Sequence, residues 1–107
     1  MKIAQYDIVI VNLDPTIGSE LKKTRPCVVV SPNEINDNLR TIIVAPLTSK
    51  SKNYPTRVPI QFRESPSWIV VEQIRTIDKR RIYDRIDTLG AQEIIKLKNV
   101  IKETLVD

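Results

Sequence analysis

The sequence predicts a mainly β protein, a small barrel or a sandwich, that ends in an amphipathic helix. Three observations predict this fold class. Short runs rich in valine and isoleucine are separated by proline, asparagine, aspartate and serine, which is the pattern of strands and turns. After Gly90 the apolar residues change to helical spacing. The 107 residues are enough for one domain with its own core, so we expect a single domain over residues 1–107.

The apolar runs predict strands at residues 7–13, 26–31, 41–46, 57–62 and 68–74. Pro59 lies inside the fourth run and has no N–H to donate, so this run is expected at the edge of the sheet. The continuous apolar stretch 8–11 indicates a strand that is covered on both faces. Residues 32–38 could hold a short helical turn, but the segment is too brief to decide.

The last part of the chain has the pattern of an amphipathic helix over residues 91–105, with Gly90 as an acceptable N-cap. The apolar residues recur at steps of three and four, so they lie mostly on one face of a helix. These residues are Ile94, Leu97, Val100, Ile101 and Leu105.

Composition restricts the function more by what is absent than by charge. The 17 lysines and arginines against 13 acidic residues give a net charge of +4, which favours a polyanionic partner only weakly. Histidine is absent, so no histidine pair can perform acid–base chemistry, and the favoured nitrogen ligand of zinc is missing. No metal site and no cofactor are predicted.

The single cysteine and the short apolar runs indicate the compartment. Cys27 cannot form an internal disulfide, and its apolar run predicts a small buried side chain. The first residues lack the apolar core of a signal peptide, and no run is long enough to cross a membrane. We therefore expect a soluble cytoplasmic protein with no membrane partner.

Two loops and two residues beside them are candidates for function. Residues 14–24 form a loop too long for a tight hairpin, and residues 47–56 form a polar, basic loop. Arg25 lies where the first loop enters a strand, extended by Pro26, and could bind a phosphate or simply be solvated. Thr48 lies at a strand end, where it could cap a turn or donate to a phosphate oxygen.

Four segments in order resemble the MazF/PemK family of toxin ribonucleases. They are VNLDPTIGSE at 11–20, RPCVVVS at 25–31, VAPLTS at 44–49 and EQIRTID at 72–78, followed by the predicted helix. Together they span about residues 7 to 105. The sequence departs from the family pattern at Tyr6, where glycine is frequent, and at Ile10, where tryptophan is frequent.

The resemblance implies a compact SH3-like barrel of the CcdB/MazF type with added helices, which works as a homodimer. It also implies metal-independent, sequence-selective cleavage of single-stranded RNA to 2′,3′-cyclic phosphate and 5′-OH ends. The catalytic pair of the family carries over onto Arg25 and Thr48, and Glu20 is the expected third member. The expected RNA-binding residues are Gly18, Ser19, Lys22, Lys23, Ser49, Lys50, Lys52, Tyr54, Arg57 and Gln73.

Several alternatives remain open. Glu20 could accept the 2′-OH proton, since arginine is a poor base, or it could only pair with Lys22 or Lys23. Trp68 opens an apolar strand, which favours a core position over RNA stacking, and the basic run 79–81 is usually a solvated turn. The resemblance implies an antitoxin with an acidic, disordered tail. The competing functions are a gyrase poison of the same fold and an RNA-binding barrel without activity.

Overall fold

The computed structural model describes residues 1–13 and 24–107, and in this part of the chain seven antiparallel strands form a half-barrel sheet. The strands are β1 (Asp7–Asn12), β2 (Thr24–Val29), β3 (Thr41–Thr48), β4 (Arg57–Phe62), β5 (Ser65–Val70), β6 (Arg75–Asp78) and β7 (Ile82–Thr88). The α-helices are α1 (Asn33–Asn38) and α2 (Ala91–Ile101). Short 3-10 turns cover Val71–Gln73 and Lys79–Arg81, and a π-helical turn, Lys102–Val106, follows α2.

Strand β3 is the centre of the sheet, whose order is β4-β5-β3-β2-β1-β7. One edge of β3 pairs with β2. The other edge is shared, because the first half of β3 pairs with β6 and its last two residues, Leu47 and Thr48, pair with β5. The end of β3 therefore lies between β2 and β5, where three strands bring different segments of the chain together.

Alternating residues of the central strands pack into two hydrophobic cores on opposite faces of the sheet. Core 1 contains Val28, Ala45 and Leu47, and α2 packs on it. Core 2 contains Val29 and Val44, which alternate with those residues along the same strands. The prediction that the apolar strands are covered on both faces is therefore confirmed, since both sets of side chains are buried.

The predicted strands match β1 to β4 to within two residues at each end, and β4 is an edge strand as Pro59 required. The prediction of one strand over 68–74 is wrong beyond Val70. There the chain forms a 3-10 turn, in which the N–H of Ile74 donates to the carbonyl of Val71 over 3.2 Å. Residues 32–38, left undecided above, contain helix α1.

Two strands, β6 and β7, were not predicted from the sequence. Both lie at edges of the sheet and are largely exposed, with only Ile77 fully buried among their residues. Strand β7 is fastened to the first strand by buried Asp7, whose carboxylate accepts hydrogen bonds from the N–H of Ala4 at 2.8 Å and from Nε of Arg85 at 2.9 Å. A solvent-exposed edge strand needs few apolar residues, so it cannot be predicted from apolar runs in the sequence.

The family departure at Tyr6 has a structural consequence. Tyr6 has a φ of 72°, in the left-handed region that favours glycine. Its conformation is held by two backbone hydrogen bonds, from its N–H to the carbonyl of Val29 at 2.7 Å and from the N–H of Leu89 to its carbonyl at 3.0 Å. The tyrosine ring also packs against core 1. These contacts offset a backbone strain of about 1–2 kcal/mol.

The predicted C-terminal helix is confirmed over Ala91–Ile101, and Gly90 is its N-cap. The Glu93 carboxylate accepts a hydrogen bond from the N–H of Gly90 over 3.0 Å. Leu97 is completely buried as predicted, whereas Leu105, which was predicted on the apolar face of the helix, is 56% exposed and lies beyond α2 in the π-helical turn. No helix in residues 1–13 or 24–107 is both long enough and apolar enough to cross a membrane.

We predict that Leu97→Ala lowers the free energy of unfolding by about 2–5 kcal/mol, because it leaves a cavity between α2 and core 1. Urea unfolding followed by circular dichroism measures this change. The matched control is Ile95→Ala, since Ile95 is 53% exposed on the same helix, and its effect should stay within about 0.5 kcal/mol. Equal effects of the two substitutions would mean that Leu97 does not anchor the helix.

Candidate functional site

The register of β2 against β3 brings Arg25 and Thr48 to the same place. Cys27 pairs with Pro46, Val28 with Ala45 and Val29 with Val44. In an antiparallel pair each step towards the start of one strand is a step towards the end of the other. Two steps beyond the Cys27–Pro46 pair, the same register sets Arg25 opposite Thr48.

Both residues line one open groove with a volume of about 520 Å³. The groove borders core 1, because Leu47 belongs to that core and also lines the groove. One side comes from the start of β2 and the end of β3, and the other side comes from the hairpin of β4 and β5. The described lining residues are Thr24, Arg25, Pro26, Leu47, Thr48, Ser49, Lys50, Phe62, Arg63, Ser65 and Ser67.

The described lining of the groove is positively charged. It contains three cations, Arg25, Lys50 and Arg63, and no acidic residue. The Arg25 side chain is exposed and forms no hydrogen bond or ion pair with any described residue. A guanidinium that has no protein partner keeps its planar set of donors for a ligand, and carboxylate and phosphate groups fit that geometry.

Thr48 closes a tight turn at the end of β3. Its hydroxyl accepts a hydrogen bond from the N–H of Lys50 at 3.2 Å and lies 3.3 Å from the carbonyl of the same residue, to which it can donate. The turn-capping role expected from the sequence is therefore present. The half-buried hydroxyl also lines the groove, and a hydroxyl can rotate its proton towards a ligand oxygen.

Cys27, which packs in core 2, is not a nucleophile. Its side chain is completely buried, as predicted. Burial raises the pKa of the thiol to about 12, although the positive charges of Arg25 and Arg75 oppose the rise. The reactive form of cysteine is the thiolate, so Cys27 is almost wholly unreactive near neutral pH.

The loop over residues 49–56 is fastened to the 3-10 turn Val71–Gln73 by what we call the loop clasp. Arg57 Nη2 lies 2.6 Å from Glu72, and its Nη1 donates to the Ser51 hydroxyl at 2.8 Å. The Thr56 hydroxyl donates to the same carboxylate at 2.8 Å, and the Arg57 guanidinium lies 5.1 Å from the centre of the Tyr54 ring. The clasp holds the loop that carries Ser49 and Lys50 to the groove.

The clasp is insensitive to pH over the range in which proteins are usually studied. The hydrogen bond from Arg57 lowers the pKa of Glu72 from 4.5 to about 2, against an opposing contribution from desolvation. A lowered pKa means that the pair stabilises the fold fully above pH 4.5 and loses this contribution as the pH falls towards 2. The loop should therefore stay fastened at neutral and mildly acidic pH.

The groove contains four of the residues selected from the sequence, namely Arg25, Thr48, Ser49 and Lys50. Other selected residues lie elsewhere: Lys52, Tyr54 and Gln73 are exposed outside the groove lining, and Arg57 belongs to the loop clasp. The remaining ones lie outside the described residues. They are Gly18, Ser19, Glu20, Lys22 and Lys23.

Sequence reasoning missed the wall formed by the hairpin of β4 and β5. This wall supplies Phe62, Arg63, Ser65 and Ser67 to the groove. Phe62, rather than Tyr54 or Trp68, is the aromatic side chain of the groove. Trp68 is only half-buried, and its indole nitrogen is buried without a hydrogen-bond partner among the described residues. The turn of this hairpin, Arg63 and Glu64, lacks the asparagine, aspartate or glycine that marks a two-residue hairpin, so the sequence carried no signal for this wall.

The arrangement can bind a phosphodiester and stabilise charge on it. A guanidinium and a hydroxyl from two strands converge on one groove, with a lysine from the adjoining loop. Donors fixed around a phosphoryl group stabilise the negative charge that develops there during transfer. Among residues 1–13 and 24–107, no group of three or more cysteine, aspartate or glutamate side chains is arranged to hold a metal ion.

Comparisons with known proteins agree with this geometry. Residues 4–105 match the profile of a family described as PemK-like, MazF-like toxin of type II toxin–antitoxin systems. The endoribonuclease MazF of Staphylococcus epidermidis is 33% identical, over 96% of this chain and 91% of its own length. The endoribonuclease EndoA of Bacillus subtilis is also 33% identical, over 98% of this chain and 96% of its own.

The fold is that of a solved mycobacterial structure, described as an endoribonuclease in complex with its cognate antitoxin. The two chains superpose with a TM-score of 0.82 at 16% identity, over 96% of this chain and 94% of the other. At this identity the likeness concerns the fold alone. The mainly β sheet with a C-terminal helix, predicted from the sequence, is thereby confirmed.

We predict that Glu72→Gln makes the loop over residues 49–56 easier to digest. Loss of the charge weakens the clasp, so trypsin should cut after Lys50 and Lys52 about two to five times faster, the change expected for loss of an exposed ion pair. Mass spectrometry of the early fragments identifies these cuts.

The matched control is Asp78→Asn, which breaks the exposed pair of Asp78 with Arg80, 3.0 Å apart, on a different turn. It should leave cleavage after Lys50 and Lys52 unchanged. Equal acceleration by both substitutions would show that the loop responds to global stability and that the clasp does not hold it.

Proposed function

Since the chain belongs to the family of PemK-like, MazF-like toxins of type II toxin–antitoxin systems, we propose that it is a cytoplasmic, sequence-selective endoribonuclease of single-stranded RNA. It needs no metal ion and no other cofactor. The observation that carries the proposal is the groove in which Arg25, which has no partner among the described residues, and Thr48 meet. Two curated relatives of nearly the same length are named endoribonucleases, which supports the same activity.

In the proposed reaction the ribose 2′-oxygen attacks the adjacent phosphorus. The bond between the 2′-oxygen and phosphorus forms, and the bond between phosphorus and the 5′-oxygen breaks. The 2′-OH loses its proton to a base, and the leaving oxygen takes up a proton from water. The products are a 2′,3′-cyclic phosphate and a 5′-OH end. Arg25 stabilises the charge that develops on the phosphoryl oxygens, and the Thr48 hydroxyl donates to one of them.

The base in this proposal is Glu20. A guanidinium, with a pKa above about 12, is protonated near neutral pH and cannot accept the proton. Cys27 is also unsuitable, because burial raises its thiol pKa to about 12 and encloses the sulfur. Histidine is absent. Glu20 precedes Arg25 closely in sequence and belongs to the same stretch of family-like residues, which makes it the simplest candidate for the role.

RNA binding is proposed for the groove, for the loop over residues 49–56 and for the residues selected from the sequence between 18 and 23. Ser49 and Lys50 are groove residues, so direct contact with the strand is the simplest role for them. Tyr54 and Lys52 are exposed on the same loop and suit bases or phosphates farther along the strand. The other proposed RNA-binding residues are Gly18, Ser19, Lys22, Lys23 and Gln73. Arg57 acts indirectly in this proposal, because its guanidinium is already paired in the loop clasp.

Substitution of Arg25 or Thr48 should abolish most of the activity. We predict that Arg25→Ala and Thr48→Ala each slow cleavage of a long single-stranded RNA by about 10²–10³-fold in EDTA, because each removes a donor to the transition state. Gel electrophoresis measures the rate, and end analysis of the fragments tests the cyclic phosphate.

Conservative variants separate catalysis from structure. Thr48→Ser keeps the hydroxyl and should retain most activity, while thermal melting checks that Thr48→Ala remains folded without its turn to Lys50. RNA that is bound but left intact by the wild type would favour a binding barrel without activity. If the wild type neither binds nor cleaves RNA, the gyrase-poison alternative returns.

We also propose that the protein is a homodimer and that an antitoxin with an acidic, disordered tail masks the groove. The net charge of +4 and the cations of the groove suit such a tail. Light scattering should give about twice the chain mass of 12.3 kDa. The cognate antitoxin should block cleavage, and higher salt should weaken the block. A monomeric mass would contradict the proposed homodimer. Inhibition that does not depend on salt would contradict the proposed masking of the groove by an acidic tail.

A further inference from the structure

The turn between β4 and β5 has an unusual backbone for its sequence. Phe62 pairs with Ser65, so Arg63 and Glu64 form a two-residue hairpin turn. Their φ angles are 51° and 63°, both in the left-handed region. Two positive φ angles define a type I′ turn, which is normally built from asparagine, aspartate and glycine. Arginine and glutamate tolerate this conformation poorly, because their Cβ atoms crowd the backbone.

No hydrogen bond or ion pair to a described residue offsets the strain that these two side chains cause in the turn. Arg63 and Glu64 are both exposed, and neither forms a hydrogen bond or ion pair with a described residue. The Arg63 guanidinium lies 5.4 Å from the centre of the Phe62 ring. At an exposed site such a contact is weak, and it leaves the edge of the guanidinium open.

The turn places Arg63 on the groove. Arg63 and its neighbours Phe62 and Ser65 line the wall that faces Arg25 and Thr48. The groove therefore has one unpaired guanidinium on each side, and none of its described lining residues is acidic. A nucleic-acid strand that lies along the groove can contact Arg25 with one phosphate and Arg63 with another.

We propose that Arg63 forms a second phosphate-binding subsite, which holds the RNA backbone next to the scissile phosphate, and that the turn is kept strained in order to present it. This inference rests on the proposed function. Strained residues persist where the conformation serves a site, and the strain here falls on a turn that lines the same groove as Arg25 and Thr48. The contact is to the backbone, so it adds affinity for RNA of any sequence.

Two substitutions separate the charge from the strain. Arg63→Asn removes the cation, and Glu64→Asp keeps its charge. Each introduces a residue that tolerates the left-handed region. Both should raise Tm, by up to about 4–8 °C. Only Arg63→Asn should weaken RNA binding, by about tenfold, the loss expected for one charged hydrogen-bonding partner.

The probe is a short fluorescein-labelled 2′-O-methyl RNA, which cannot be cleaved because its 2′-oxygen carries no proton. Anisotropy titrations at several salt concentrations give Kd and the slope of log Kd against log salt. We expect Arg63→Asn to reduce the slope by about 0.7, the change for one phosphate contact on a single strand. Glu64→Asp should keep the wild-type Kd and slope.

Each other outcome overturns the proposal. An unchanged Kd and slope in Arg63→Asn, with tight binding by the wild type, would sink the subsite and leave the proposed ribonuclease intact. Equal weakening by both variants would mean that the shape of the turn, rather than its cation, matters. A wild type that neither binds this probe nor cleaves natural RNA would overturn the subsite together with the proposed function.

Discussion

The antiparallel pairing of β2 with β3 is the constraint on which the site depends. It joins the start of one strand to the end of the other, so that residues far apart in sequence share one edge of the groove. The same pairing sends Val28 to core 1 and Val29 to core 2, which locks the register from both faces. A shift by one residue would send each of these side chains to the core on the opposite face and would separate Arg25 from Thr48.

Two groups of arginines differ in their ion pairing. Arg57, Arg80 and Arg85 are bound to carboxylates, and these pairs fasten a loop, a turn and an edge strand. Arg25 and Arg63 line the groove without a carboxylate partner among the described residues. An arginine that is paired with a carboxylate adds little to the electrostatic potential at the surface. The two guanidinium groups of the groove, which have no such partner among the described residues, make the potential there positive and favour binding of a polyanion.

How much could be predicted depended on what each residue contacts. Strands β1 to β4 were predictable from their runs of apolar residues, and helix α2 from buried residues at helical spacing. Edge strands β6 and β7 were not, since most of their residues are exposed and too few are apolar to form such a run. Arg57 was chosen as an RNA contact for its charge alone, and its partner Glu72 is fifteen residues away in sequence. The pairing of Arg25 with Thr48 came from the family resemblance and not from local pattern.

The two strained places of the described chain differ in what supports them. Tyr6 gains two backbone hydrogen bonds and a place on core 1, so packing alone accounts for its left-handed backbone. Arg63 and Glu64 gain neither, and asparagine or glycine would form the same turn with less strain. Stability therefore explains Tyr6 but does not explain the turn. Because the turn places the Arg63 cation on the groove, ligand binding explains the strained backbone of the turn better than stability does.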